Sequence, residues 1–427
     1  MYAIDWASLL KKQPSPADTG APAKSRILPA VSPTVWALGF TSFFTDVSSE
    51  MVASVLPMYL VLQLHISPAT FGIIDGLYQG AAALVRVAAG VVSDRWRRHK
   101  EVAVAGYALS AITRVLLLAA GSAWAVIAGL VAVDRIGKGV RTAPRDALIS
   151  LRSSSRDLAT AFGVHRALDA GGAMLGPLLA FVVLFVWAGR FDVLFVMSFA
   201  MAAVGLGVIM FFVEPAHERA QSTTAPLTTR GALDVWRAPR FRAILIAGFM
   251  LGVPTMSDSF VFLTLQQRYQ VAPSAFPLFY VGTSLFMALF AIPCGRLADH
   301  TGRTGVMLAG YGALVLVYLS LFIAPGHQLA ALIPVALLGA YYAATDGVLT
   351  AMAAATLPRA TSGTGLALLA TATNVSRLLA SVLFGFIWSR VGLSYATRVY
   401  LAALVLAIVG AGVVLMRSEQ LSAPEVQ

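Results

Sequence analysis

"GVVSDRWRRHK", residues 90–100, breaks an apolar chain with one acid and a run of bases, and "GRLADHTGRT", residues 295–304, repeats the pattern much later. Gly90 and Asp94 are spaced as Gly295 and Asp299 are, and each pair stands where an apolar run ends. The 427 residues around them are 58% hydrophobic and 12% charged. Soluble globular chains are roughly 45–50% apolar and about 25% charged. A duplicated polar punctuation in such a chain points to a repeated membrane-embedded unit.

Working outward from the two stretches, apolar runs near 36–63, 70–92, 102–121, 124–149, 158–186 and 191–213 precede a polar segment. Runs near 243–266, 275–297, 305–325, 329–354, 363–389 and 395–416 follow it. Each is long enough to cross a hydrocarbon core of roughly 30 Å as a helix. The expected fold is an all-α integral membrane protein with twelve spans. The runs are too long, and alternate too little, for barrel strands. Pro57, Pro177 and Pro254 fall inside them, as membrane helices tolerate.

The net charge of +11 suggests nucleic acid until its distribution is traced. With twelve spans, Lys11, Lys12, Lys24, Arg26, Arg95, Arg97, Arg98, Lys100, Arg152, Arg156, Arg219, Arg230, Arg237, Arg240, Arg242, Arg296, Arg303, Arg359 and Arg417 share one side. The other side holds Arg190, Arg268, Arg390 and Arg398. This bias predicts both termini in the cytoplasm of a multi-pass plasma-membrane protein, a bacterial inner membrane being the expected setting. The surplus bases then face anionic lipid headgroups, and no nucleic-acid partner is expected. Residues 1–34 read as a disordered cytoplasmic tail without the apolar core of a signal peptide. Cys294, the single cysteine, reads as a small buried side chain.

The polar segment 214–240 divides six spans from six: a first bundle over 35–213, a linker, a second bundle over 241–416 and a tail over 417–427. "LGFTSFFTD" (38–46) and "LGVPTMSD" (251–258) echo each other, as do Arg166/Asp169 and Asn374/Arg377. Repeated halves are an architecture of transporters that rock about a central site.

On these residues the chain resembles the major facilitator superfamily of secondary transporters across 35–416. Gly90, Asp94, Arg95, Arg98 and Lys100 match the family's pattern between the second and third helices, with Arg97 in place of the usual Gly. Gly295, Asp299, Gly302 and Arg303 match the second copy, with His300 at a basic position. "RIGKGVR" (135–141) resembles the family's fourth-helix motif, and "GAMLGP" (172–177) the core of an exporter motif, departing from it at Ala180 and Phe181. The resemblance implies two pseudo-symmetric six-helix bundles. It further implies a latch between the second and eleventh helices, built on the two copies of the opening pattern. The plainer alternative is that those bases only obey the charge bias. A cavity lined by the first, fourth, seventh and tenth helices is implied as well.

An ionisable group at mid-bilayer costs roughly 2.5–3.5 kcal/mol on insertion scales, so it tends to face a bundle interior or a wet cavity. Asp46 and Glu50 share one helical face with Ser42 and Ser49. Asp46 lies roughly 15 Å into its helix at 1.5 Å per residue. These acids, with Asp169, are the candidate proton-coupling groups; a structural acid bonded to a neighbouring helix is the alternative for Asp46. Asp134, Lys138, Arg141 and Arg145 form a stripe beside Arg135, in which Asp134 and Lys138 are expected to pair at i, i+4. Arg166 and Asp169 form either a local pair or a relay toward those bases. Arg86 and Arg114 read as structural partners of acids on neighbouring helices. In the second half the candidates are Asp258, Tyr342, Asp346, Asn374 and Arg377, with Tyr78, Tyr280 and Tyr341 either lining a cavity or packing. The expected substrate cavity is built from Asp134, Arg135, Lys138, Arg166 and those second-half residues.

The expected function is proton-coupled secondary transport of a small organic solute by a monomer without cofactor or metal. Efflux by antiport is favoured over uptake of an organic anion, such as a carboxylate or siderophore-like molecule, which the buried bases would suit. A transporter-like sensor is the outside alternative. The chain has no phosphate-binding loop for primary transport, and no zinc-protease motif or nucleophile elbow.

Overall fold

The structure is a computed structural model that describes residues 31–96, 98–154, 157–215, 236–323, 327–357 and 359–420. Most of the expected tails and linker therefore lie outside the described residues.

Ser32 opens the first helix, its hydroxyl accepting from the Val35 N–H at 3.4 Å ahead of Pro33 at the first helical position. That side-chain oxygen satisfies a donor with no partner inside the helix, and proline lacks the N–H that would need one. The first six spans are α1 (Pro33–Ala53), α2 (Pro68–Trp96), α3 (His99–Ala119), α4 (Trp124–Leu151), α5 (Leu158–Val186) and α6 (Phe191–Phe212). The seventh is two helices, α7 (Pro239–Gly252) and α8 (Asp258–Tyr269). The remainder are α9 (Leu278–Thr301), α10 (Arg303–Ser320), α11 (Leu332–Ala355), α12 (Arg359–Val391) and α13 (Leu393–Gln420).

Two spans depart from the expected continuous runs. The first stops at Ala53, resumes at Leu56–Met58 around Pro57, and ends in a π-helical turn over Tyr59–Gln63. The seventh unwinds over 253–257 around Pro254. Proline at these points supplies no backbone donor, so the ladder breaks there.

Packing repeats between the halves. α1 lies on α5 and α6, α2 on α4, α3 on α4 and α6. In corresponding places α7 lies on α12 and α13, α9 on α11, and α10 on α11 and α13. The same symmetry relates the contacts between halves: α2 meets α12, and α5 meets α9. This is the pseudo-twofold of two six-helix bundles.

Among the described residues, eight helices are long and apolar enough to cross a membrane: α3, α5, α6, α9, α10, α11, α12 and α13, some with short flanking turns. The remaining spans are α1, α2, α4 and the α7–α8 pair. α1 and α4 carry the charges read from the sequence, and α7 and α8 are 14 and 12 residues long. The bundle's outside is apolar, with Phe211 81% and Leu406 72% exposed, as lipid contact requires. Cys294 is half-buried rather than buried, on the outward-leaning part of α9.

Candidate functional site: a cavity between the halves

Two faces are distinguished by the order of the helices: a base-rich one where α1 begins and α2 ends, and a base-poor one opposite. On the base-poor side the halves are closed against each other. A β-carbon on Gly76 would stand 3.0 Å from the Leu378 carbonyl oxygen and 3.1 Å from Val382 Cγ2, so glycine there lets α2 lie directly on α12. The Ala69 N–H donates to Ser389 Oγ at 2.7 Å, and Ser381 Oγ donates to the Asp75 carboxylate at 2.6 Å. An aromatic cluster fills the seam: Phe260 of α8 sits 4.9 Å from Phe71 of α2, 4.8 Å from Phe384 and 5.7 Å from Trp388 of α12, between ring centroids.

From this plug toward the base-rich side runs a cavity of about 390 Å³. Glu50, Asp75, Asp258, Asp346 and Arg377 line it with Tyr78, Tyr280 and Tyr342. Asp258 is the first residue of α8, placed by the break in the seventh span. The break is held by Tyr318 of α10, whose hydroxyl accepts from the Met256 N–H at 2.5 Å and donates to the Pro254 carbonyl at 3.0 Å. Tyr342 donates to Asp258 at 2.6 Å, and Arg377 to Asp346 at 3.2 Å. Asn374, one turn before Arg377, donates to its own helix at the Ala370 carbonyl and does not line the cavity. Tyr341 is buried against Tyr311, the packing alternative for that ring, whereas Tyr78 and Tyr280 do line the cavity.

Glu50 is held at the cavity wall by α5. A β-carbon on Gly176 would meet the Val47 carbonyl at 2.7 Å and Glu50 Cβ at 2.9 Å, so the "GAMLGP" stretch presses on the turn that carries Glu50. No hydrogen bond or ion pair within 4 Å reaches the Glu50 carboxyl among the described residues; the charges that act on it from further off are Lys138, Asp46, Arg135 and Arg114. One turn back, Asp46 faces Asp169 of α5 and lies 3.8 Å from Arg141 of α4. Asp169 in turn is 3.8 Å from Arg145, which also donates to Asp146 and Ser42. Ser42 Oγ is 2.9 Å from His165 Nε2. Glu50, Asp46 and Asp169 thus form a line of carboxyls leading from the cavity toward the base-rich side. Arg166 is half-buried on α5 and outside the cavity lining.

The bases of α4 are placed otherwise than helical spacing suggested. Asp134 does not pair with Lys138. It accepts from Arg114 of α3 at 2.8 Å and from its neighbour Arg135 at 2.9 Å. Arg114 also donates to Ser49 at 3.1 Å, and Arg135 stacks on Tyr78 at 4.1 Å. Asp134 and Arg135 are 3% and 4% exposed. This cluster stands one layer behind the cavity, whose lining includes neither residue. Arg114 is the structural partner of an α4 acid, as its isolation in the third span implied.

Asp75 was missed by sequence reading. Its signal was present: a lone acid among the glycines of "FGIIDGLYQG" (71–80) inside an apolar span. The surroundings of Gly90 and the side chains of Asp94 and Arg86 lie outside what the structure describes. Arg95 and Arg98 are exposed at the α2–α3 turn. In the second copy Arg303 donates to Asp299 at 3.2 Å, beside Gly302 at φ +107°. Among the described residues, Gly295 has no neighbouring atom within reach of a β-carbon, and no close helix approach is seen there.

The sequence model of the Major Facilitator Superfamily matches residues 38–381 and, again, 255–425. The chain belongs to the major facilitator superfamily. An uncharacterized MFS-type transporter of Methanocaldococcus jannaschii is 29% identical over 366 residues, covering 84% of this chain and 89% of that protein. An uncharacterized protein of Mycobacterium tuberculosis is 36% identical over 144 residues, 34% of this chain and 35% of its own. Among solved structures, the nucleoside transporter NupG superposes with a TM-score of 0.75 at 14% identity, covering 91% of this chain and 99% of that one. A POT family transporter in complex with 5-aminolevulinic acid gives 0.74 at 14% identity, over 91% and 96%. These likenesses carry the fold: this member of the superfamily is an all-α, multi-pass membrane transporter of a solute.

Proposed function

We propose that the protein is a proton-coupled secondary transporter that expels a small organic solute by alternating access. The observation that carries this reading is the line of carboxyls Glu50, Asp46 and Asp169, one end of which stands in the cavity wall without a hydrogen bond or ion pair of its own. An acid that meets both a wet cavity and a chain of further acids can pass a proton along as the cavity changes sides. Closure on the base-poor face, with the cavity on the other side of the plug, supports an inward-facing state if the base-rich face is cytoplasmic, as the charge bias suggests. Efflux is supported by the exporter-like stretch 172–177 packed on the Glu50 turn. The bases that made an organic anion attractive are largely committed: Arg114 and Arg135 to Asp134, Arg377 to Asp346.

The test is a pH-gradient-driven screen of pooled solutes in vesicles, followed by Asp46→Asn on whichever solute moves. Gradient-driven transport is expected to fall at least tenfold while solute–solute exchange persists. Full gradient-driven activity in the variant at every pH removes Asp46 from the coupling mechanism. Binding without accelerated counterflow in the unmodified protein would identify a sensor instead.

A further inference from the structure

The two halves contribute unequal charges to the cavity. Glu50, Asp75, Asp258 and Asp346 face it against one base, Arg377. Arg377 answers Asp346 at 3.2 Å. Lys138, Arg135 and Arg114 act on Glu50 from beyond ion-pair distance, against the like charge of Asp46. Asp258 of α8 feels the like charges of Asp75 on α2 and Asp346 on α11, and the opposite charge of Arg377 from beyond ion-pair distance. Asp75 and Asp258 each accept a hydrogen bond from a neutral hydroxyl, of Ser381 and Tyr342 respectively, and neither has an ion pair within 4 Å among the described residues. A hydroxyl orients a carboxylate without cancelling its charge. Two such acids at one low-dielectric site repel each other until a positive charge, or protons, come between them.

A second feature is independent of the acids. The Thr283 hydroxyl on α9 lines the same cavity, and its residue is 6% exposed. It has no hydrogen-bond partner among the described residues. Buried hydroxyls are nearly always bonded, so an unpaired one in a cavity wall marks a place where a guest supplies the partner. The rest of the wall is soft and aromatic: Phe71, Tyr78, Phe262, Tyr280 and Met287. Ring faces attract cations. A cavity of this size is in the range of roughly 300–1,000 Å³ that holds drug-sized molecules.

We propose that the transported solute is an organic cation, its charged nitrogen or onium centre held between Asp75 and Asp258 and its apolar body against the aromatic wall beside Thr283. This rests on the transport reading above and adds the sign of the cargo. It reverses the inference drawn from the sequence's surplus of intramembrane bases, because Arg114 and Arg135 are committed to Asp134 behind the cavity.

The test uses the purified full-length chain and two pairs of probes matched in shape and opposite in charge: tetraphenylphosphonium with tetraphenylborate, and benzyltrimethylammonium with phenylmethanesulfonate. Equilibrium binding is expected to be at least tenfold tighter for the cation in each pair, after subtraction of empty-micelle partitioning. Asp75→Asn and Asp258→Asn keep an oxygen that accepts from Ser381 or Tyr342, so the fold is expected to survive. Each should weaken cation binding about tenfold. Thr283→Val breaks no bond within the protein and should weaken it severalfold, which keeps the proposal testable if an Asn variant fails to fold. Equal or tighter anion binding, no binding of any probe, or cation binding indifferent to all three substitutions overturns the proposal. Counterflow in proteoliposomes separates the two readings. A cation that binds but does not exchange refutes transport and leaves the charge assignment standing, whereas an anion that exchanges does the reverse.

Discussion

Asp134 accepts from two guanidinium groups in a place water does not reach, so its removal should cost far more than the pairing contributes. Asp134→Ala leaves Arg114 and Arg135 buried without a counter-ion, and losing one partner of a buried pair costs about 3–5 kcal/mol. Arg114→Met leaves the Asp134–Arg135 pair balanced and should cost markedly less. Thermal melts of the two purified variants check the order; equal losses would mean that the cluster is already hydrated. Asp134 also shows where one-dimensional reading stops. Helical spacing offered Lys138 as its partner, yet Arg114 comes from a different helix twenty residues earlier. Nothing in a single sequence specifies which of two reachable bases a packed acid meets.

At the scale of elements, the two broken helices place the site. The α7–α8 break exposes backbone groups that lipid cannot satisfy, and the Tyr318 hydroxyl serves two of them. Tyr318→Phe should destabilise by about 1–3 kcal/mol for each group left unpaired, read as a lower melting temperature and faster amide exchange over residues 253–257. An unchanged melt would show that water or a neighbour replaces the hydroxyl. The proline was legible in the sequence; that a tyrosine from α10 would patch the break was not. The α2–α12 contact depends on glycine in the same direct way. Gly76→Leu places a branched side chain where a single β-carbon already stands 3.0 Å from backbone. It should hold the base-poor side open. In a Cys294→Ser background, a cysteine in place of Ser389 should then react faster with a membrane-impermeant maleimide than it does beside Gly76.

For the whole molecule, the closed seam implies that the halves must separate there during transport. Ala69 and Ser389 are joined across it by a backbone-to-hydroxyl bond of 2.7 Å. The double substitution Ala69→Cys and Ser389→Cys, again without Cys294, should cross-link under oxidation and stop solute exchange at least tenfold, with recovery on reduction. Exchange that continues in the cross-linked protein would show that the seam never opens. Such a switch needs two packings of similar energy rather than one deformable one; in the packing seen here α2 against α12 is the counterpart of α9 against α5.

The sequence by itself determined the number of spans, the duplication and the separation of bases to one side. In lipid the backbone groups of a span are satisfied chiefly within its own helix, so long apolar runs mark the spans, and the polar stretches between them carry the repeat and the charge bias. It also marked which spans carry charge. Only the tertiary structure decided what those charges do, because pairing is a matter of distance across helices remote in the chain. Arg114 and Arg135 close on Asp134 behind the wall, Asp75 and Asp258 are left facing the cavity, and a base-rich membrane domain thereby acquires an acidic interior.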